Sequence, residues 1–146
     1  MSQADPIEIL VVEDDFGNAA LYRRALPLYG VNPTIVGTIR EAKVQIEAHR
    51  TGRRTFSAVI SDGGLPDGTA NDLRQDLTRS GLLGSTVVAT ALPREFGGFV
   101  TVGKPFDLGA LVGSVERIAA NDRLRTEREL RGGQPSDREF GRGGRR

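Results

Sequence analysis

Five short runs of apolar or β-branched residues punctuate the chain: Ile7 to Val12, Thr34 to Val36, Ala58 to Ser61, Thr86 to Thr90 and Phe99 to Val102. Between them lie amphipathic or turn-rich stretches, an alternation that predicts a parallel β-sheet with crossover helices. The first run, Ile-Glu-Ile-Leu-Val-Val, is apolar on nearly every position, as a central strand covered on both faces should be. Leu21, Ala25 and Leu28 stand at i, i+4 and i+7 and predict a first helix, ended or bent by Pro27. Ile39, Ala42, Val44 and Ile46 predict a second helix. Leu73 and Leu77 mark a third, opening near Thr69 and closing before Gly81. Leu108, Leu111, Val112, Val115, Ile118 and Ala119 form the clearest helical stripe, with Asp107 as its N-cap. That helix is expected to continue to Arg131, where Gly132-Gly133 stops it, and the remainder to Arg146 has a disordered composition.

At 146 residues, the chain supports one domain with a core that buries about two-thirds of the unfolded surface. The expected division is a folded domain over 1–121 and a helix extension with a disordered basic tail over 122–146. The charge divides there too: residues 1 to 122 carry 12 basic and 15 acidic side chains, and 123 to 146 carry 8 and 4. A solvated terminus is the ordinary reading of such a tail, so nucleic acid is not an expected partner. No run approaches the roughly twenty apolar residues that span a bilayer, and no basic region precedes the first run, so no membrane contact and a cytoplasmic location are expected. The absence of cysteine excludes disulfides and thiolate chemistry, and a lone histidine, His49, makes no zinc site of the usual kind. His49 is expected to be exposed and idle.

In an open α/β sheet, ligands gather beyond the carboxyl ends of the strands. The first strand runs into Glu13-Asp14-Asp15, the third ends at Ser61-Asp62, the fourth at Thr90, and the fifth just before Lys104-Pro105. Crowded carboxylates repel unless a cation offsets them, and an all-oxygen set suits magnesium better than zinc. The metal and Lys104 could neutralise an incoming phosphoryl group while Asp62 attacks phosphorus. Asp15 is expected to cap the first helix instead of binding metal.

Leu-Val-Val-Glu-Asp-Asp at 10 to 15, Ser-Asp-Gly-Gly-Leu-Pro-Asp-Gly at 61 to 68, Ala-Thr-Ala at 89 to 91 and Lys-Pro-Phe at 104 to 106 follow one another in the order of a known pattern. With it the chain resembles the receiver domain of two-component response regulators (CheY-like) from about Ile7 to Ala120. The resemblance implies a three-layer, doubly wound, five-stranded parallel sheet of the flavodoxin-like kind, with strand order 2-1-3-4-5. It implies Asp62 as phosphoacceptor, with Thr90 and Lys104 contacting the phosphoryl group. It also implies Mg2+ held by Glu13 (chiefly through water), Asp14, Asp62 and the Gly64 carbonyl, and a cis Lys104-Pro105 bond. The implied partner is a histidine kinase or a histidine phosphotransfer protein, and a homodimer is one state open to such domains. The protein would be a phosphoacceptor switch that assists its own phosphorylation and dephosphorylation, and not an enzyme acting on outside substrates. Aspartate-nucleophile phosphatases resemble the Asp62 stretch as well, but their second aspartate falls at Gly64 here, so the general acid is missing.

Two departures stand out. Only thirteen residues separate Thr90 from Lys104, and they include Pro93, Gly97, Gly98 and Gly103. A parallel crossover with its helix takes at least about ten to twelve residues, so the fourth helix is expected to be absent or vestigial. The aromatic residue that receivers resembling this one carry three places before the lysine is Thr101. Phe99 stands two residues away on the same strand face and could substitute in part. Small residues at Gly64 and Ala91 leave Asp62 little shielded, which points to a short-lived phosphorylated state. With no effector domain following in this sequence, the expected function is a single-domain response regulator that signals by protein contact or phosphorelay. The alternative is a pseudo-receiver, a binding module indifferent to phosphorylation.

Overall fold

The computed structural model of the chain describes residues 5–104 and 107–132. The Lys104-Pro105 bond, Phe106 and the tail beyond Gly132 lie outside the described residues, as do the expectations that fell on them. The strands are β1 (Ile7–Val12), β2 (Val31–Val36), β3 (Ala58–Asp62), a two-residue pair β4 (Gly64–Leu65) and β5 (Gly68–Thr69), β6 (Thr86–Thr90) and β7 (Val100–Gly103). The helices are α1 (Phe16–Ala25), α2 (Ile39–Arg50), α3 (Arg74–Arg79) and α4 (Leu108–Gly132). Five strands form one sheet in the order β2-β1-β3-β6-β7, every pairing in it parallel, and β4 with β5 makes a separate antiparallel pair. Counting only the large strands, this is the 2-1-3-4-5 order expected from the sequence.

Because side chains alternate across a strand, β1, β3 and β6 each feed two cores. Leu10, Val12, Val59 and Val88 join Ile39, Ala42, Ile46, Leu73 and Leu77 beneath α2 and α3. Ile9, Val11, Ala58, Ile60 and Val87 join Tyr22, Leu26, Leu111, Val112 and Val115 beneath α1 and α4. Burial on both faces explains why β1, β3 and β6 read as continuous apolar runs rather than as alternating ones. The α4 stripe holds as anticipated, and the helix runs unbroken past residue 121. Among the described residues, no helix is long and apolar enough to cross a membrane.

The first helix turns a different face inward from the one its spacing suggested. Tyr22 and Leu26 are fully buried, while Leu21 is 43% and Leu28 85% exposed. Tyr22 and Leu26, four apart, carry the inward face in place of Leu21; α1 then stops at Ala25 and a 3-10 turn containing Pro27, Leu26–Tyr29, takes over. Residues advance about 120° each in such a turn, against 100° in an α-helix, so Leu28 no longer aligns with the face that spacing assigned to it. Gly30, at φ +77°, closes the turn in the left-handed region that glycine adopts without strain. Val44 is likewise exposed, because α2 packs through Ile39, Ala42 and Ile46 at helical spacing and Val44 faces away. His49 is half-buried and anchored: its Nδ1 accepts the Phe56 backbone N–H at 3.0 Å, and its ring stacks on that of Phe56. The imidazole thereby fixes the return from α2 into β3.

The crossover between β6 and β7 contains no α-helix. A single 3-10 turn, Pro93–Phe96, occupies it, as the short spacing predicted. Phe99 lies just before β7 and is 9% exposed, a member of the core beneath α3, with the Arg74 guanidinium 4.4 Å above its ring.

Candidate functional site

Parallel strands carry their last residues to one edge of the sheet, and there the acidic and basic side chains meet. β1 ends in the buried carboxylate of Glu13, whose backbone N–H is fixed to the Val36 carbonyl of β2 at 2.8 Å. Asp14 follows, exposed, and half-buried Asp62 closes β3. Glu13, Asp14 and Asp62 each offer a carboxylate oxygen within 4.8 Å of the others. Asp15 does not join them. Its side chain accepts the Asn18 N–H at 2.8 Å and caps α1, while its own N–H donates to Glu13 Oε2 at 3.0 Å.

Lys104 comes from the far side. The register of β6 with β7 sets Thr90 opposite Gly103, and the Lys104 N–H donates to the Thr90 carbonyl at 3.1 Å. The lysine ammonium then forms an ion pair with Asp62 Oδ1, which also accepts the Gly63 N–H at 2.8 Å. Thr90, 6% exposed, accepts the Leu92 N–H on its hydroxyl at 2.9 Å. Asp62, Gly63, Gly64, Thr90, Ala91 and Lys104 line one cleft of about 250 Å³. A Cβ at Gly64 would meet nothing within 4 Å, and Ala91 is exposed, so the mouth of the cleft beside Asp62 is open. The structure therefore brings together all six residues singled out from the sequence: Glu13, Asp14, Asp62, Gly64, Thr90 and Lys104.

Electrostatics carry the mark of this crowding. Burial pushes the Glu13 carboxyl above its usual value; the negative charges of Asp62 and Asp14 push the same way, against the Asp15 N–H and Lys104. Burial also raises the Tyr22 phenol, and the negative charges of Glu13 and Asp62 add to it. The inner face of α1 therefore feels the negative field of the site. Three carboxylates with one ammonium among them form a hard-oxygen donor set with excess negative charge, and such a set fits magnesium, which is held through a few carboxylates with waters completing its shell.

Two residues at this end were not legible as part of the site. Asp67 looks like a turn residue in the loop after Asp62, yet its carboxylate accepts the first two N–H groups of α2, Ile39 at 2.8 Å and Arg40 at 3.0 Å. Those bonds, the one from Ile39 foremost, hold its carboxyl below the usual value and tie the Asp62 loop to a helix N-terminus. Phe96 packs against Gly63, and its only signal in the sequence was the coincidence of a glycine after Asp62 with a missing helix.

No protein-family model matches the chain, and no curated protein does. Solved structures do. The HemR receiver domain of Leptospira biflexa is 28% identical, matched over 78% of this chain and 94% of that one, with a TM-score of 0.62. A response regulator receiver domain from Francisella is 18% identical over 79% of this chain and 98% of that one, at 0.69. The receiver domain of a sensor histidine kinase from Pseudomonas aeruginosa is 22% identical over 79% and 98%, at 0.67; that structure has magnesium coordinated in its active-site cleft. The fold of this chain is the receiver fold of response regulators.

Proposed function

We propose that this protein is a phosphoacceptor switch of two-component signalling, accepting a phosphoryl group on Asp62 from the phosphohistidine of a histidine kinase or histidine phosphotransfer protein. The observation that carries this reading is the meeting, at one sheet edge, of an acidic pair, an aspartate and an ammonium delivered by three different segments. A carboxylate oxygen of Asp62 forms the new bond to phosphorus as the phosphorus–nitrogen bond of phosphohistidine breaks, and the electron pair returns to the imidazole. Lys104 sits where it can pass from the Asp62 carboxylate to a phosphoryl oxygen, and the Thr90 hydroxyl has its proton to donate there. Such preorganised charge and hydrogen-bond donors are the main protein contribution to phosphoryl transfer.

Glu13, Asp14, Asp62 and the Gly64 carbonyl are the groups that would hold magnesium. When bound, the metal supplies positive charge to the phosphoryl oxygens. The open flank at Gly64 and Ala91 supports access for both a partner histidine and water, hence a short-lived phosphorylated state. Signalling then proceeds by contact or by relay of the phosphoryl group.

Incubation with magnesium and acetyl phosphate, followed by intact mass measurement, tests the reading. The expected result is a gain of one phosphoryl mass that disappears in Asp62→Asn. No gain in the wild-type protein, under conditions that label an ordinary receiver, would favour a binding module that ignores phosphorylation.

A further inference from the structure

Gly63, the residue after the acceptor, is buried and its backbone is held from three directions. Its N–H points at both Asp62 Oδ1, at 2.8 Å, and the Ala89 carbonyl, at 3.1 Å; its own carbonyl accepts the Ala70 N–H at 3.0 Å. A Cβ built at this position would lie 3.1 Å from the Phe96 ring and 3.2 Å from Thr90 Oγ1. The space that a side chain at 63 would occupy is thus already shared by the Phe96 ring and the Thr90 hydroxyl. Phe96 is 4% exposed, so the ring is committed to this place.

The turn that carries Phe96 is also bonded to Thr90. The Leu92 N–H donates to Thr90 Oγ1 at 2.9 Å, and the Leu92 carbonyl accepts the Glu95 N–H at 3.0 Å. Asn71 fixes the turn to the body of the domain by donating its Nδ2 to the Glu95 carbonyl at 2.9 Å. A threonine hydroxyl has one proton and two lone pairs. With one lone pair taken by Leu92, the rotation of the hydroxyl is restricted and its proton remains to be donated. In a close-packed interior a ring that fills the side-chain place at 63, beside the Thr90 hydroxyl, leaves little room there to relax.

We infer that Phe96 is a positioning residue of the acceptor site, its ring standing in for the missing side chain at 63 and holding Thr90 and the Asp62-Gly63 peptide in register. The inference rests on the reading of Asp62 as phosphoacceptor. It assigns a task to the turn left where a fourth helix is missing, and it explains why glycine follows the acceptor.

The test is the rate of phosphoryl mass gain per folded molecule, with magnesium and acetyl phosphate, in wild type, Phe96→Ala, Thr90→Val and the double variant. A small displacement of reacting groups costs up to about 100-fold, so Phe96→Ala is expected to slow labelling about tenfold. Thr90→Val is expected to slow the wild type roughly 100-fold, the scale of one lost transition-state donor, but the Phe96→Ala background much less. Should Phe96→Ala not fold, Phe96→Leu keeps most of the volume and should give a smaller loss with the same partial dependence on Thr90. Wild-type labelling with Phe96→Ala, or Phe96→Leu in its place, at an unchanged rate overturns the inference alone, as does an equal Thr90→Val penalty in both backgrounds. Absence of labelling in the wild type itself overturns the reading of Asp62, and the inference falls with it.

Discussion

The site has two walls of unequal conventionality. The wall made by β1 and β3 delivers Glu13, Asp14 and Asp62 from strand ends fixed by backbone bonding into the middle of the sheet. The wall made by β6 and β7 delivers Thr90 and Lys104 in the same way, but everything between them has been rebuilt: a 3-10 turn replaces a helix, Thr101 stands where an aromatic residue was expected, and Phe96 and Phe99 fill the space. The difference teaches that this fold can hold its strand-end side chains in register while the connection between two of those strands is reduced to one clamped turn.

The largest expected effect separates packing from chemistry within the rebuilt wall. Phe99 belongs to the core beneath α3, and truncating a buried phenylalanine costs about 3–5 kcal/mol. Phe99→Ala should therefore lower the urea midpoint strongly while leaving the labelling rate of the molecules that remain folded within about twofold. A labelling loss as large as that of Phe96→Ala would erase the distinction drawn between the two rings.

Lys104→Met comes next. It removes the ammonium from Asp62 Oδ1 and from the incoming phosphoryl group, and losing such a charge-compensating donor costs about 100-fold in rate, near 2.7 kcal/mol. Measured by mass gain at fixed donor concentration, a loss of less than about threefold would show that the conventional wall suffices alone.

How much of this was legible depended on whether a feature was local. The strands could be read because burial on both faces leaves a continuous apolar run, and the site because strand ends carry their residues to one edge whatever happens between them. The missing helix was legible by length alone. The inward face of α1 was not, since Tyr22 and Leu26 match helical spacing as well as Leu21, Ala25 and Leu28 do, and the 3-10 turn at Pro27 alters the angle per residue that would have placed Leu28. His49 was misread because its partner, the Phe56 N–H, is supplied by a loop seven residues on rather than by its own helix. Asp67 and Phe96 acquire their roles only when segments distant in sequence, residues 39–40 and 63, are folded against them.

The conventional wall can be probed through protons. The Glu13 carboxyl, buried among like charges, has its folded value raised above the unfolded one. Well below the unfolded value, both states bind the proton and this group contributes no penalty. As pH climbs from there through the raised folded value, the unfolded chain gives up its proton first, and stability falls. A divalent cation should oppose that loss. At ten times its dissociation constant it stabilises the fold by roughly 1.4 kcal/mol, and the increment should shrink as pH drops through the window in which Glu13 protonates. Thermal unfolding with and without magnesium checks this, and Glu13→Gln should flatten the pH dependence of the increment. A magnesium increment constant across that window would remove Glu13 from the metal-linked groups.

The smallest effect concerns how firmly the rebuilt wall is held to the rest. Arg74, on α3, lies over the Phe99 ring at 4.4 Å and donates from Nη2 to the Asn71 side chain at 2.6 Å. Asn71 in turn grips the Glu95 carbonyl of the turn, so the guanidinium braces the ring and the clamp together. A half-exposed cation–π contact contributes about 0.5–1 kcal/mol, and Arg74→Ala should cost that much in urea unfolding. Arg74→Lys restores the charge over the ring but not the planar fork that reaches Asn71. It should therefore recover the stability in part while leaving the turn looser, read as faster amide exchange at Leu92 and Glu95. Equal exchange in wild type and Arg74→Lys would mean that Asn71 holds the turn without help, and the two walls would then differ in composition but not in how tightly each is fixed.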